Sequence, residues 1–191
     1  MAKQRRRARE LALRALYEMD ITRVNPDKVL ADAVEGQELH FDQRQYAEQV
    51  VRGFHAHSTY IDRILAERIK DYDFSRIAAI DRAILRIATY ELFFEPAIPP
   101  AVTLNEAIEI AKKYSTAESG KFVNGVLGKV LADSEKANWD PSIAPLEDEP
   151  EEVVHIEELP DIEEVDVEAD SDEARSVARL AGWKLRTDGE E

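Results

Sequence analysis

The sequence predicts an all-α protein: a compact bundle of about seven helices over residues 1–136, followed by an acidic, mostly disordered extension over 137–191. Three observations carry this. Apolar residues recur at three- and four-residue spacings in one segment after another up to about residue 135. No segment sustains the period-two alternation of a strand. Charge is strongly segregated: residues 1–138 hold 21 Lys/Arg against 21 Asp/Glu, whereas 139–191 hold 4 against 19, so the whole formal charge of −15 lies in the last part of the chain.

Each helix follows from local pattern. Ala8, Leu11, Ala12, Ala15, Leu16 and Met19 form an apolar stripe, and the arginines before them continue into this first helix. Asn25-Pro26 starts a second, with proline at the first helical position, and Gly36 is its expected stop. A third runs from about Asp42 to His57 on Tyr46, Val50 and Phe54. A fourth begins near Ser58 and uses Tyr60, Ile61, Ile64, Leu65 and Ile69. The fifth (Ile77, Ile80, Ile84, Leu85, Ile87, Ala88, Leu92) is apolar around much of its circumference and is expected at the centre. Pro96, Pro99 and Pro100 end it. Thr103-Leu104-Asn105-Glu106 reads as a capping box opening the sixth, with Leu104, Ala107, Ile108 and Ala111 inward. After a loop from Ser115 to Gly120, the seventh turns Phe122, Val123, Val126, Leu127 and Val130 inward. Asn124 and Gly125 are poor helix formers, and close approach of another helix at Gly125 would explain that residue.

Between Ile143 and Asp172 small aliphatics are scattered among Glu, Asp and Pro, too few to offset chain entropy, so disorder is expected. Residues 171–186 carry a short amphipathic pattern (Val177, Leu180, Ala181, Trp183) that would be marginal as an isolated helix.

Little points to catalysis. The absence of cysteine excludes disulfides, thiolate nucleophiles and cysteine zinc sites. There is no phosphate-binding glycine loop, dinucleotide fingerprint or H-E-x-x-H pair. His55 and His57 point to different sides of a helix, Asp71 and Asp73 belong to a loop, and Ser119 near Lys121 has no legible base. Neither an enzyme, a metal nor a cofactor is expected. No apolar run is long enough for a membrane span and no signal-peptide core opens the chain, so a soluble, cytoplasmic protein is expected. What stands out is the basic start: Lys3, Arg5, Arg6, Arg7, Arg9 and Arg14. Clustered guanidiniums neutralise phosphates and release counterions. On so acidic a chain such a grip must be local.

The stretches Arg5 to Tyr17, Ile80 to Ala88 followed by Tyr90-Glu91-Leu92, Asn105-Glu106-Ala107, and Lys121-Phe122-Val123-Asn124-Gly125-Val126-Leu127 resemble, in order, signatures of the NusB family of transcription antitermination factors. The resemblance spans residues 5–131. It implies an all-helical protein that binds the boxA element of nascent RNA with NusE, also a small-subunit ribosomal protein, and helps RNA polymerase read through terminators in ribosomal RNA operons. Carried over, Arg5, Arg6, Arg7 and Arg9 would contact RNA phosphates, with Glu118, Lys121 and Phe122 beside that path. Phe122 could stack on a base or sit in the core. Glu118 would cap the last helix as the fourth residue of Ser115-Thr116-Ala117-Glu118, or else restrain affinity by repelling phosphate or accept from a base amine. Tyr17, Asp81 and Arg82 would face the protein partner, and the same surface could serve a homodimer. Two other uses fit the residues: a helical protein-interaction adaptor, and the RNA-engaging domain of an RNA methyltransferase without its catalytic part. The extension departs from the family pattern.

Overall fold

The computed structural model describes residues 2–34, 39–70, 73–116 and 118–140, with side chains from Arg5 onward. Among them are six α-helices, α1 (Ala2–Thr22), α2 (Pro26–Val34), α3 (Phe41–Arg68), α4 (Ala79–Phe94), α5 (Pro100–Tyr114) and α6 (Ser119–Asp133), with short 3-10 turns at Phe74–Arg76 and Glu135–Asn138. No strand occurs among the described residues.

The apolar stripe of α1 buries Ala8, Leu11, Ala12, Leu13, Ala15 and Leu16. The helix stops where Arg23 takes a left-handed φ of 59° and its N–H returns to the carbonyl of Met19 at 3.0 Å, an αL termination built without glycine. Asn25 then caps α2, its Oδ1 accepting from the Asp27 N–H at 2.8 Å, as Asn-Pro implied. The stop expected at Gly36 lies outside the described residues.

Three local expectations are corrected. The third and fourth predicted helices are one 28-residue helix, α3. Their apolar positions Tyr46, Val50, Phe54, Ile61 and Leu65 stay on one face across the supposed break, and Ser58 donates internally to the His55 carbonyl at 3.1 Å. Next, α5 starts at Pro100 rather than Thr103. Proline at the first helical position needs no hydrogen-bond partner, so the turn forms earlier and Thr103 and Glu106 are released for tertiary contacts. Finally, nothing lies within 4 Å of a Cβ built on Gly125 or Gly128. Gly125 is exposed, and close helix packing is not its reason.

Helix α4 is central, as its pattern predicted: Ile80, Ala83, Ile84, Leu85, Ile87, Ala88, Tyr90 and Leu92 are all buried, and α1, α3, α5 and α6 pack around it. Contacts of Arg9 with Glu91 and of Asp20 with Arg82 make α1 and α4 antiparallel. At one end of this pair, Asp20 accepts from Arg82 Nε at 2.9 Å and Arg86 Nη1 at 3.0 Å, and Arg86 reaches Asp62 of α3 at 2.8 and 2.7 Å. Burial alone would raise the Asp20 carboxyl, but the hydrogen bonds from Arg82 and Arg86 hold it below the usual aspartate value. A depressed folded-state pKa adds stability above the unfolded value that is lost as pH falls through the folded one. Acid titration below about pH 4 should therefore destabilise the native protein, and Asp20→Asn should flatten that limb of a denaturation-midpoint against pH curve. An unchanged limb would remove Asp20 from the account.

At the other end the chain closes on α4. Lys136 is buried and its Nζ donates to the carbonyls of Glu91, Glu95 and Ile98 at 2.8, 2.5 and 2.7 Å, capping the C-terminus of α4. Its ammonium lies 5.5 Å from the Trp139 ring centroid. The packed chain thus continues through Trp139, slightly past the boundary expected after residue 136.

Candidate nucleic-acid interface

The arginines of α1 fall into distinct environments. Arg9 turns inward and is 2% exposed. Its Nε and Nη2 donate to Glu91 Oε1 and Oε2 at 2.7 and 3.1 Å, and the same carboxylate accepts from Tyr46 Oη at 2.6 Å and Thr103 Oγ1 at 2.8 Å. Four donors satisfy one buried carboxylate, the condition under which an interior ion pair is tolerated. Arg9 is therefore a structural residue and is not presented to a phosphate, contrary to the expectation. Burial and then Glu91 push the Tyr46 phenol well above its ordinary value, so it remains a donor.

Arg6 is exposed but held, its Nε and Nη2 donating to the two oxygens of Glu106 on α5 at 2.8 and 2.7 Å. Arg5 is half-buried and Arg7 exposed, and neither pairs with a carboxylate among the described residues. Two cations are thus free and a third is fixed in direction. One turn on, Lys113 of α5 donates to Glu10 at 3.0 Å, so long side chains bridge α1 and α5, which run in the same direction.

The other flank of α5 carries α6. A Cβ on Gly120 would lie 3.2 Å from Lys112 Cγ, which sets the first turn of α6 against the last turns of α5. This corner is pinned from beneath. Ser119 Oγ donates to Asp81 Oδ2 at 2.8 Å and lies 2.9 Å from both Ser115 Oγ and Thr116 Oγ1. Burial raises the Asp81 carboxyl, opposed by Ser115 and Ser119. Asp81 is 7% exposed and Oδ1 has no hydrogen-bond partner.

Above that pin stand Glu118, Lys121 and Phe122. Glu118 occupies the N-cap position in a helical conformation, and its side chain makes no capping bond, so its expected capping role is corrected. Instead it accepts from Lys121 Nζ at 3.3 Å, with both side chains about four-fifths exposed (79% and 82%). So exposed a pair is worth little and opens readily to a ligand. Phe122 is half-buried and packs against the core.

Of the residues expected to face a protein partner, Tyr17 and Asp81 are buried and Arg82 is partly buried. Tyr17 is 7% exposed within the core, Asp81 is the pin just described, and Arg82 bonds Asp20 and the carbonyls of Ser75 and Ile77 at 3.1 and 2.9 Å. None presents a free polar group outward. Sequence reasoning missed Glu91, Thr103 and Lys136. Glu91 did carry a signal, as an acid inside the most apolar helix; so did Arg9, three residues before Ala12 and seven before Leu16 on the stripe of α1.

Fold and site define a small all-helical domain whose cationic helix end and mixed-charge loop flank a common helix, an arrangement suited to a polyanion. The chain belongs to the NusB family, whose family model matches residues 6–132. It is 42% identical to transcription antitermination protein NusB of Symbiobacterium thermophilum over 135 residues, which cover 66% of this chain and 88% of that one. With the protein of the same name from Geobacillus kaustophilus it shares 41% identity, over 70% of this chain and 99% of the relative. Among solved structures, T. maritima NusB superposes with a TM-score of 0.66 at 34% identity, covering 70% of this chain and 94% of that one. A structure of antitermination factors NusB and NusE in complex with dsRNA gives 0.65 at 29% identity, covering 70% and 99%. The match to the family model ends at residue 132, before the acidic extension.

Proposed function

We propose that this protein is a cytoplasmic transcription antitermination factor that binds boxA-type single-stranded RNA together with a NusE-type ribosomal protein, promoting read-through in ribosomal RNA operons. It acts by binding rather than by chemistry of its own. The observation that carries this is family membership combined with free cations where a polyanion can reach them. Arg5 and Arg7 neutralise phosphates, Arg6 is oriented by Glu106, and Lys121 exchanges Glu118 for a phosphate. Phe122, half-buried beside Lys121, offers its exposed part as an aromatic contact to an unpaired base. Arg9 serves from inside, holding α1 in register. Tyr17, Asp81 and Arg82 shape the partner-facing side from beneath it. Among the described residues no helix is long and apolar enough to cross a membrane, and no group of three or more His, Asp or Glu could hold a metal ion.

The test is binding of labelled boxA-like RNA and a scrambled control, with and without the NusE-type protein, across a salt series. Tight, partner-dependent binding that scrambling abolishes is expected. Arg5→Ala and Arg7→Ala should each reduce the slope of log affinity against log salt by about 0.7, the value for one lost phosphate contact on a single strand. Equal weak binding to both RNAs, or slopes unmoved by the arginine changes, would sink this reading in favour of a protein-interaction adaptor.

A further inference from the structure

Aromatic rings from two helices meet where α3 packs on α4. Helical spacing brings them together: Tyr90 and Phe94 lie one turn apart on α4, and His57 and Tyr60 lie three residues apart on α3. Gly53, one turn before His57, leaves room for the Tyr90 ring. From that ring a stack runs outward. Tyr90 lies 5.5 Å from Phe94 between centroids at an interplanar angle of 22°, and Phe94 lies 4.1 Å from His57 at 15°. Tyr60 braces the stack edge-on, 6.2 Å from Phe94 and 5.9 Å from Phe93. Tyr90 is buried, Phe94 half-buried and His57 exposed, so three near-parallel rings lead from the core to the surface. Arg63, three residues beyond Tyr60, is exposed, with its guanidinium 5.5 Å from the Tyr60 centroid. It forms no ion pair among the described residues. A lone exposed ring needs no explanation, but a ladder of rings that ends in solvent beside an unpaired cation does.

We propose that this ladder is a second RNA contact: an unpaired base flanking the boxA-type element stacks on His57, and Arg63 takes a phosphate beside it. This rests on the reading of the protein as an RNA binder. A ring in a parallel stack accepts a further planar ring face-on, and every base has such a face, so the contact adds affinity without reading sequence. His57 is already held on Phe94, and little side-chain freedom is lost when a base arrives. Arg63 has no carboxylate to surrender before it meets a phosphate. The position suits a strand gripped by α1. Phe94 closes the last turn of α4, three residues past Glu91, whose carboxylate holds Arg9. Because α1 and α4 are antiparallel, the ladder stands at the end of this pair where α1 carries Arg5, Arg6 and Arg7. Sequence preference then stays with the boxA-type element, and the ladder tightens the hold on whatever unpaired nucleotides adjoin it.

The test uses the full chain with the NusE-type protein and boxA-like RNA carrying a tail of about six unpaired nucleotides at either end, within the footprint of an aromatic single-strand site. The control RNA has the same tail without bases and keeps its phosphates. The tail with bases should bind about tenfold tighter than the abasic one. His57→Phe should preserve that gain. His57→Leu, which still covers Phe94 but has no π face, should abolish it. Arg63→Ala should instead lower the salt slope by about 0.7 for both tails. Equal binding of the two tails to the parent chain, or a gain that survives His57→Leu, overturns the ladder. So does a His57→Leu chain that keeps the gain but loses the NusE-type protein, since the rings then serve a protein surface. The tail alone, as a free strand with or without bases, is also titrated while the His57 imidazole proton resonances are followed by NMR. If boxA-like and scrambled RNA bind alike, yet only the strand with bases shifts His57, the ladder stands and the boxA reading falls.

Discussion

Glu91→Ala is expected to lower the unfolding free energy by about 3–5 kcal/mol, the range for removing one member of a buried ion pair. The loss is large because three groups depend on that carboxylate. Arg9 is left charged in the interior, and Tyr46 Oη and Thr103 Oγ1 lose the acceptor they share. Urea denaturation of the parent and the variant, with equal slopes, gives the number. The informative control is Arg9→Met/Glu91→Met, which removes both charges at similar volume. It should recover most of the loss, because no uncompensated charge remains. A double variant as unstable as the single one would mean that the orphaned Tyr46 and Thr103 hydroxyls or packing, not the uncompensated charge, govern this site. RNA binding of the double variant at a temperature where it is folded should stay close to the parent, since Arg9 does not face outward.

The second large effect concerns Gly53. On the middle of α3 it gives room to the ring of Tyr90 from α4: a Cβ there would collide with Cε2, Cζ and Oη. Tyr90 is buried and its ring stacks on Phe94 at 5.5 Å between centroids, so it cannot step aside freely. Gly53→Ala should therefore destabilise by about 1–3 kcal/mol through overpacking, although alanine is the better helix former by about 1 kcal/mol. The signature is the coupling with Tyr90→Leu, which opens the space. In the Tyr90→Leu background the same glycine change should become neutral or stabilising. If Gly53→Ala costs the same in both backgrounds, the close approach does not matter.

These two sites mark what could and could not be read from the chain. Period and proline placement located α1, α2, α4 and α6, and the all-round apolar pattern of α4 put it at the centre, where it is found. The join within α3 was invisible because Ser58 resembles a cap; only the continuity of the apolar face argues against a break. Thr103-x-x-Glu106 matches a capping box equally well, and spacing cannot tell whether a threonine hydroxyl serves its own backbone or a carboxylate twelve residues earlier. At the candidate interface, the arginine cluster was legible as a group but its members were not. Whether a guanidinium faces a phosphate or a buried glutamate depends on which face of α1 meets α4, a tertiary fact. The same limit applied to Asp81 and Arg82, which pair inward with Ser119 and Asp20. Gly125 shows the opposite failure: a helix-weakening residue suggested a neighbour, and the space beside it is open.

The Arg9–Glu91 contact also bears on how the protein is born. Its members are 82 residues apart in the chain, so on a ribosome adding about 5–20 residues per second the first helix waits roughly 4–16 s before its interior acid is made. Throughout that interval α1 is a cationic amphipathic helix without a mate, exposing both its apolar stripe and all of its arginines. Lys136, which closes the far end of α4, comes 45 residues later still. The nascent chain therefore cannot settle its first segment early, and α1 joins the bundle only once most of the domain has emerged.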